Sequence, residues 1–262
     1  MSEYTVYNLE VQASGLVVEV ELGGARVYFE GRGGQRFTQK KLNPWLLDGQ
    51  NVLEARLGAP EAQAGGRRAA AAERYFRTRL IRLRAGQDWP EPEDELFTYE
   101  WNPAKAPLPD EGMVTVLEHE LALGPVHGRW AWQDARPYTD ADRPDVLALV
   151  GAVHQALAAR ELEGVLARFA VQNDEVARAL GGTKAELAGD LREFLASLFA
   201  SEDWRMAPLA PETLGLVPSA GGKLVEVVGP DGGAPLVGRG GEGELELGLT
   251  VSRLAAGWTI VR

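Results

Sequence analysis

The stretch RPDVLALVGAVHQALAARELEGVLARFA, residues 143–170, is where the pattern of the chain changes. Val146, Leu149, Val150, Val153, His154 and Leu157 recur at intervals of three and four, which puts them on one face of an α-helix. Pro144 suits a first helical turn, and Asp142 or Asp145 stands where a cap is needed. A second helical segment, LEGVLARFA, follows the Arg160-Glu161 corner. A third, KAELAGDLREFLASLFA, begins after Thr183, which makes a capping box with Glu186. Beyond Trp204 short strands are expected: TLGLV, KLVEVVG, APLVG, ELELGLTVSRL and GWTIVR, with glycine-rich turns between them.

Upstream of this region the period is two, not 3.6. LVVEVELGGARVYFEGRGG, from Leu16, reads as two short strands joined at Gly23-Gly24, a dipeptide suited to a tight hairpin. In LNPWLLDGQNVLEARL, a proline and an Asp48-Gly49 turn precede a strand from Asn51 to Leu57. Residues 60–72, PEAQAGGRRAAAA, read as a loop excursion. RYFRTRLIRLR, within residues 73–84, fits a helix with Ala72, Phe76, Leu80 and Leu83 on one face. It also fits a strand with a parity slip near Leu80-Ile81 that a bulge absorbs, and the strand is preferred. LFTYEW at 96–101 and MVTVLEHELAL at 113–123 complete about six strands, enough for a small sandwich. The segment 124–144 loses the alternation and gathers turn formers. The expected class is therefore α+β: an antiparallel β-sandwich over 1–130, a linker over 131–143, and a helix-then-strand domain over 144–262.

Two resemblances follow from particular residues. Three helices followed by a curved antiparallel sheet, with ALAARELEGVLARFA and with Arg253, Leu254, Gly257, Trp258, Ile260 and Val261 near the end, resemble the cone-shaped α+β fold of ketosteroid isomerase and the SnoaL-like proteins. That fold hosts isomerases, dehydratases and plain binding modules, so it implies no single function. Gly49, Asn51 and Leu53 form a G-x-N-x-L start to a strand that resembles jelly-roll, galactose-binding-like sandwiches. The likeness covers about a dozen residues and raises carbohydrate binding as a third option.

The 262 residues carry a formal net charge of −11, shared as 17 basic and 22 acidic side chains in residues 1–143 and 10 and 16 thereafter. Such a surface repels nucleic acid and anionic lipid over most of the molecule and accommodates a basic partner. With no cysteine there is no thiolate chemistry, in agreement with a reducing compartment. No basic leader and no long apolar run is present, so a soluble, cytoplasmic protein is expected.

Candidate chemistry is sparse. An enzyme of the cone type needs a carboxylate or histidine base and a phenolic or protonated-acid donor. All six tyrosines lie at or before Tyr138, leaving His154 and Asp174 as pocket candidates; for His154, completing the apolar helix face is the favoured role. His119 and His127 could hold a metal with Glu118 or Glu120. Strand alternation instead places His119 with Met113, Leu117, Leu121 and Leu123, and the two glutamates on the opposite face. Gly238, Gly240 and Gly243 spell G-x-G-x-x-G, but ELELGLTVS after them alternates as a strand, so a hairpin is expected. The arginines 67, 68, 74, 77, 79, 82 and 84 form the one basic cluster, and pairing with Glu91, Glu93, Asp94 and Glu95 is favoured over nucleic-acid binding. Trp130 and Trp132, in the junction, are candidate interaction residues, with inter-domain packing the competing role. The expectation is a non-enzymatic protein that binds another protein, one of basic character such as a toxin, with no cofactor, metal, nucleic acid or membrane. The alternative is a small-molecule binder or isomerase-like enzyme using the cone.

Overall fold

The computed structural model describes residues 5–31, 33–60, 74–84, 87, 89–108, 112–123, 128–230, 232–241 and 243–262. The loop expected at 60–72 lies outside them apart from Pro60, and so does His127. The class is α+β, with four antiparallel sheets and four α-helices among the described residues. The chain divides into two compact units, Met1–Gly128 and Arg129–Arg262.

The first unit contains β1 (Thr5–Ser14), β2 (Val17–Leu22), β3 (Ala25–Glu30), β4 (Arg36–Lys41), β5 (Gly49–Gly58), β6 (Tyr75–Arg84), β7 (Glu95–Trp101) and β8 (Met113–Leu123). They form two four-stranded sheets, β4-β1-β6-β7 and β3-β2-β5-β8. Alternate residues of both sheets, among them Leu9 and Val11 of β1, Val18 and Val20 of β2, Leu53 and Leu57 of β5, and Phe76 and Leu80 of β6, meet in one apolar core. Gly23 and Gly24, at φ +58° and +77°, turn β2 into β3. Positive φ at both central residues gives the turn a twist that matches the strands, which glycine adopts without steric cost.

β6 is a strand, and its pairing with β7 shifts register between Leu80 and Ile81, where the sequence parity slips. Asn51 is buried. Its side chain accepts from Leu47 N at 2.8 Å and donates to Leu47 O at 2.8 Å, so the G-x-N-x-L residue closes the loop that launches β5. Asn43 similarly fastens the start of β1, accepting from Tyr7 N and donating to Thr5 O.

The second unit contains α1 (Arg143–Ala158), α2 (Leu162–Arg168), α3 (Ala170–Ala179) and α4 (Lys184–Phe199). Then come β9 (Arg205–Met206), β10 (Gly215–Ser219), β11 (Leu224–Val228), β12 (Leu236–Gly240), β13 (Gly243–Leu247), β14 (Leu249–Leu254) and β15 (Gly257–Ile260). They pair as β10-β11-β14-β15 and β13-β12-β9. ELELGLTVSRL, expected as one strand, is two: the chain leaves one sheet at Leu247 and enters the other at Leu249. A single buried cluster from Val146, Val150, Val153 and Leu157 of α1 through Leu195 and Phe199 of α4 to Val225, Val251 and Ile260 of the strands fills the space between helices and sheets.

Two caps differ in outcome. Thr183 caps α4 as expected: its hydroxyl oxygen accepts from Glu186 N, and Glu186 accepts from Thr183 N in return. Asp142 precedes α1, but its carboxylate makes no cap bond there. It accepts instead from the Thr139 N–H and hydroxyl, both at 2.9 Å, and pairs with Arg136 and Arg253. Residues 131–143, read from the sequence as a linker, form two 3-10 turns, Ala131–Asp134 and Asp140–Asp142. Tyr138 N donates to Gly222 O at 2.8 Å, and Lys223 Nζ donates to Gln133 O at 2.7 Å.

Candidate functional site

The α3 sequence AVQNDEVARA puts Ala170, Asp174 and Arg178 at intervals of four, hence in one row along the helix. Glu175, one position round, turns toward the interior and is buried. The row forms one wall of a cleft of about 470 Å³, with Trp130 and Asp134 across from it and Lys184 also on its lining. Asp174 and Trp130, singled out separately from the sequence, are therefore brought to one place.

Beneath the cleft is a tightly bonded floor. Glu175 accepts from Ala131 N at 2.6 Å through one carboxylate oxygen and from Arg262 Nη1 at 2.6 Å through the other. The guanidinium carbons of Arg178 and Arg262 lie 4.7 and 4.9 Å from the centre of the Trp130 ring, cation–π distances. Arg178 also donates to Arg129 O at 3.1 Å. Burial pulls the Arg262 pKa below its ordinary value, and Glu175 opposes that shift. On the rim Arg129 pairs with Asp134 and holds that carboxyl below the usual range. Asp174 and Lys184 are exposed and form no ion pair among the described residues. The described lining is dominated by charged side chains: Arg129, Asp134, Asp174, Glu175, Arg178 and Lys184.

The other candidates stand elsewhere. Trp130 and Trp132 are both buried; Trp130 still contributes to the α3 cleft lining, and Trp132 does not. The turn at Ala131–Asp134 folds them inward. His154 is half-buried on α1, donates from Nε2 to Ala207 O at 2.8 Å, and lines none of the clefts described here. His119 stacks on Phe97 with ring centres 4.3 Å apart, while Glu118 and Glu120 are exposed, as the alternation requires. Among the described residues no group of three or more His, Asp or Glu side chains is placed to hold a metal ion.

The G-x-G-x-x-G residues form the β12–β13 hairpin, and packing accounts for each glycine. A Cβ on Gly238 would stand 2.5 Å from Trp204 Cη2, one on Gly240 3.0 Å from Trp204 Cα, and one on Gly243 2.6 Å from Leu198 Cδ2. The described arginines of β6 pair mainly along the sheet rather than with the whole run 91–95. Arg79 reaches Glu10 at 2.8 Å and Glu95 at 3.5 Å, and Arg77 reaches Glu100 at 3.4 Å. Register decides this, since Arg79 lies opposite Glu10 and Arg77 opposite Glu100. Asp94 instead serves its own turn, accepting from Glu91 N and from the Gln87 side chain.

What the sequence did not single out is the pair Glu175–Arg262 and the unpaired Lys184. The four-residue interval from Asp174 to Arg178 was a usable signal, but only for a segment already recognised as helical.

No protein-family model, curated protein or solved structure matches the chain. No helix among the described residues is long and apolar enough to cross a membrane.

Proposed function

We propose that the chain is a non-enzymatic interaction protein that holds a protein partner of basic character at the cleft between α3 and the 129–134 segment. The observation that carries this reading is that Asp174 and Lys184, exposed on one cleft, have no ion-pair partner among the described residues. Opposite charges beside a rigid floor select a partner segment that presents the complementary order, which favours specificity and fast encounter over raw affinity. The net charge of −11 adds attraction toward a basic surface. The same reading takes the second unit as a SnoaL-like cone serving as a binding module and the first as a β-sandwich, acting in the cytoplasm without nucleic acid. The element order of three or more helices followed by antiparallel strands supports the cone. An enzyme working inside that cone has less support, because the apolar cluster from Val146 to Ile260 occupies the space and His154 faces a backbone carbonyl.

The test is capture from the native cell with the wild-type chain and with a variant carrying both Asp174→Lys and Lys184→Glu. The expected result is a stoichiometric basic partner recovered by the wild type and reduced at least ~10-fold in the variant, as loss of rim charge complementarity implies. Recovery of the chain alone, or of the same partner at equal yield with both proteins, overturns the reading.

A further inference from the structure

A second cleft of the same unit lies where β9 meets β12. Arg205 and Arg239 are direct antiparallel partners in that pair, so two guanidinium side chains start from facing positions on neighbouring strands. Like charges directly opposite in a sheet are unfavourable, and here only Arg239 of the two has a carboxylate at ion-pair distance among the described residues. Arg239 bonds to Glu244 at 2.8 Å yet keeps 70% of its side chain exposed. Arg205 is exposed and has no carboxylate within ion-pair distance among the described residues. Beside them is a cleft of about 350 Å³ walled by Ala207, Pro208 and Val237; Met206 and Gly238 also line it, but the Met206 side chain packs toward the core.

The wall is held from two sides. Ala207 N donates to Val237 O at 2.8 Å, and Ala207 O accepts from His154 Nε2 at 2.8 Å. With both backbone groups of Ala207 engaged, the surface is set before any ligand arrives. Ala207 and Pro208 are exposed, so this apolar wall is presented to solvent.

We infer that this cleft binds a small aliphatic carboxylate, its head bridging Arg205 and Arg239 and its hydrocarbon lying along Ala207, Pro208 and Val237. A carboxylate matches the planar donor fork of a guanidinium, and one placed between two of them relieves the repulsion that the strand register imposes. Among the described residues the wall holds no aromatic ring for a planar ligand to stack on, and a volume near the lower end of the range for ligand pockets suits a short chain. This site is separate from the α3 cleft and does not depend on the protein-partner reading. It also gives His154 a place: it fixes a wall and carries out no chemistry.

Sodium octanoate is titrated calorimetrically into the full chain, with octan-1-ol and sodium acetate as the two halves of the ligand. Octanoate is expected to bind at one site, and each half at least ~10-fold more weakly. Arg205→Gln and Arg239→Gln, both exposed positions, are each expected to weaken octanoate ~10- to 100-fold, the loss of one charge-assisted hydrogen bond, with circular dichroism unchanged. No octanoate binding, octan-1-ol binding as tight as octanoate, acetate binding as tight as octanoate, or wild-type affinity in either variant overturns the inference.

Discussion

Glu175 and Arg262 form an ion pair withdrawn from water: Arg262 Nη1 lies 2.6 Å from Glu175 Oε2, and each side chain retains 4% exposure. Because the second oxygen of Glu175 takes the Ala131 N–H, one carboxylate joins α3, the 129–134 segment and residue 262. Removing either partner strands a buried charge, so Glu175→Ala and Arg262→Ala are each expected to destabilise the second unit by about 3–5 kcal/mol. Replacing both with methionine leaves no charge to desolvate and is expected to cost less than either single change. Urea denaturation of the four proteins decides the matter; a double variant whose loss equals the sum of the singles contradicts the pair as described.

Glycines in the second unit divide into two kinds. Gly238 has Trp204 Cη2 and Met206 Sδ within 2.5 and 2.8 Å of where a Cβ would sit, whereas Gly189 of α4 has nothing within 4 Å. Gly238→Ala is therefore expected to lose about 1–3 kcal/mol through overpacking against the Trp204 ring. Gly189→Ala is expected to gain about 0.5–1 kcal/mol from helix propensity and a less flexible unfolded chain. Thermal melts of the two variants should move in opposite directions; a shared sign would show that the Trp204 approach is not what selects glycine at 238.

Acid should weaken the fold in a defined window. The Glu91 N–H and the Gln87 side chain hold Asp94 below its ordinary pKa. The Thr183 hydroxyl and N–H do so for Glu186, and the Ser201 hydroxyl and Gly241 N–H for Asp203. Each folded carboxyl thus binds fewer protons than its unfolded counterpart at low pH, so stability rises with pH there. The contribution is complete above the unfolded values, about 3.9 for Asp and 4.3 for Glu, and is lost as pH falls through the lower folded values. Denaturation midpoints measured at pH 6, 4 and 3 are expected to drop across the last two, and Asp203→Asn is expected to flatten part of that drop. A midpoint constant from pH 6 to 3 would remove these carboxylates from the account.

Legibility in the sequence followed how locally each residue is constrained. The β6 strand and its slip at Leu80-Ile81, the Gly23-Gly24 hairpin and the Thr183–Glu186 cap were all readable, because each depends on neighbours within a few residues. β4, RFTQKK, was not: it is an edge strand with five of six residues exposed, so burial imposes no alternation on it. β1 alternates cleanly, with Leu9, Val11 and Ala13 buried, yet its pairing with β4 and β6 spans intervals that no local pattern encodes. α3 went unmarked because its buried positions include Asn173 and Glu175, polar residues that blur the apolar stripe.

The sequence by itself determined the α+β class, the change of period near residue 143, the acidic balance and the lack of any cysteine. Each of these is a property of composition or of short-range periodicity. Tertiary structure alone decided that Trp130 and Trp132 turn inward, that Asp174 and Lys184 share a cleft, and that Arg205 faces Arg239. It also decided that the glycines of G-x-G-x-x-G make room for Trp204 and Leu198. The reason is physical: which charge is neutralised, and which backbone must lack a Cβ, depends on the atoms that long-range register and packing bring within a few ångströms. No spacing along the chain specifies those neighbours.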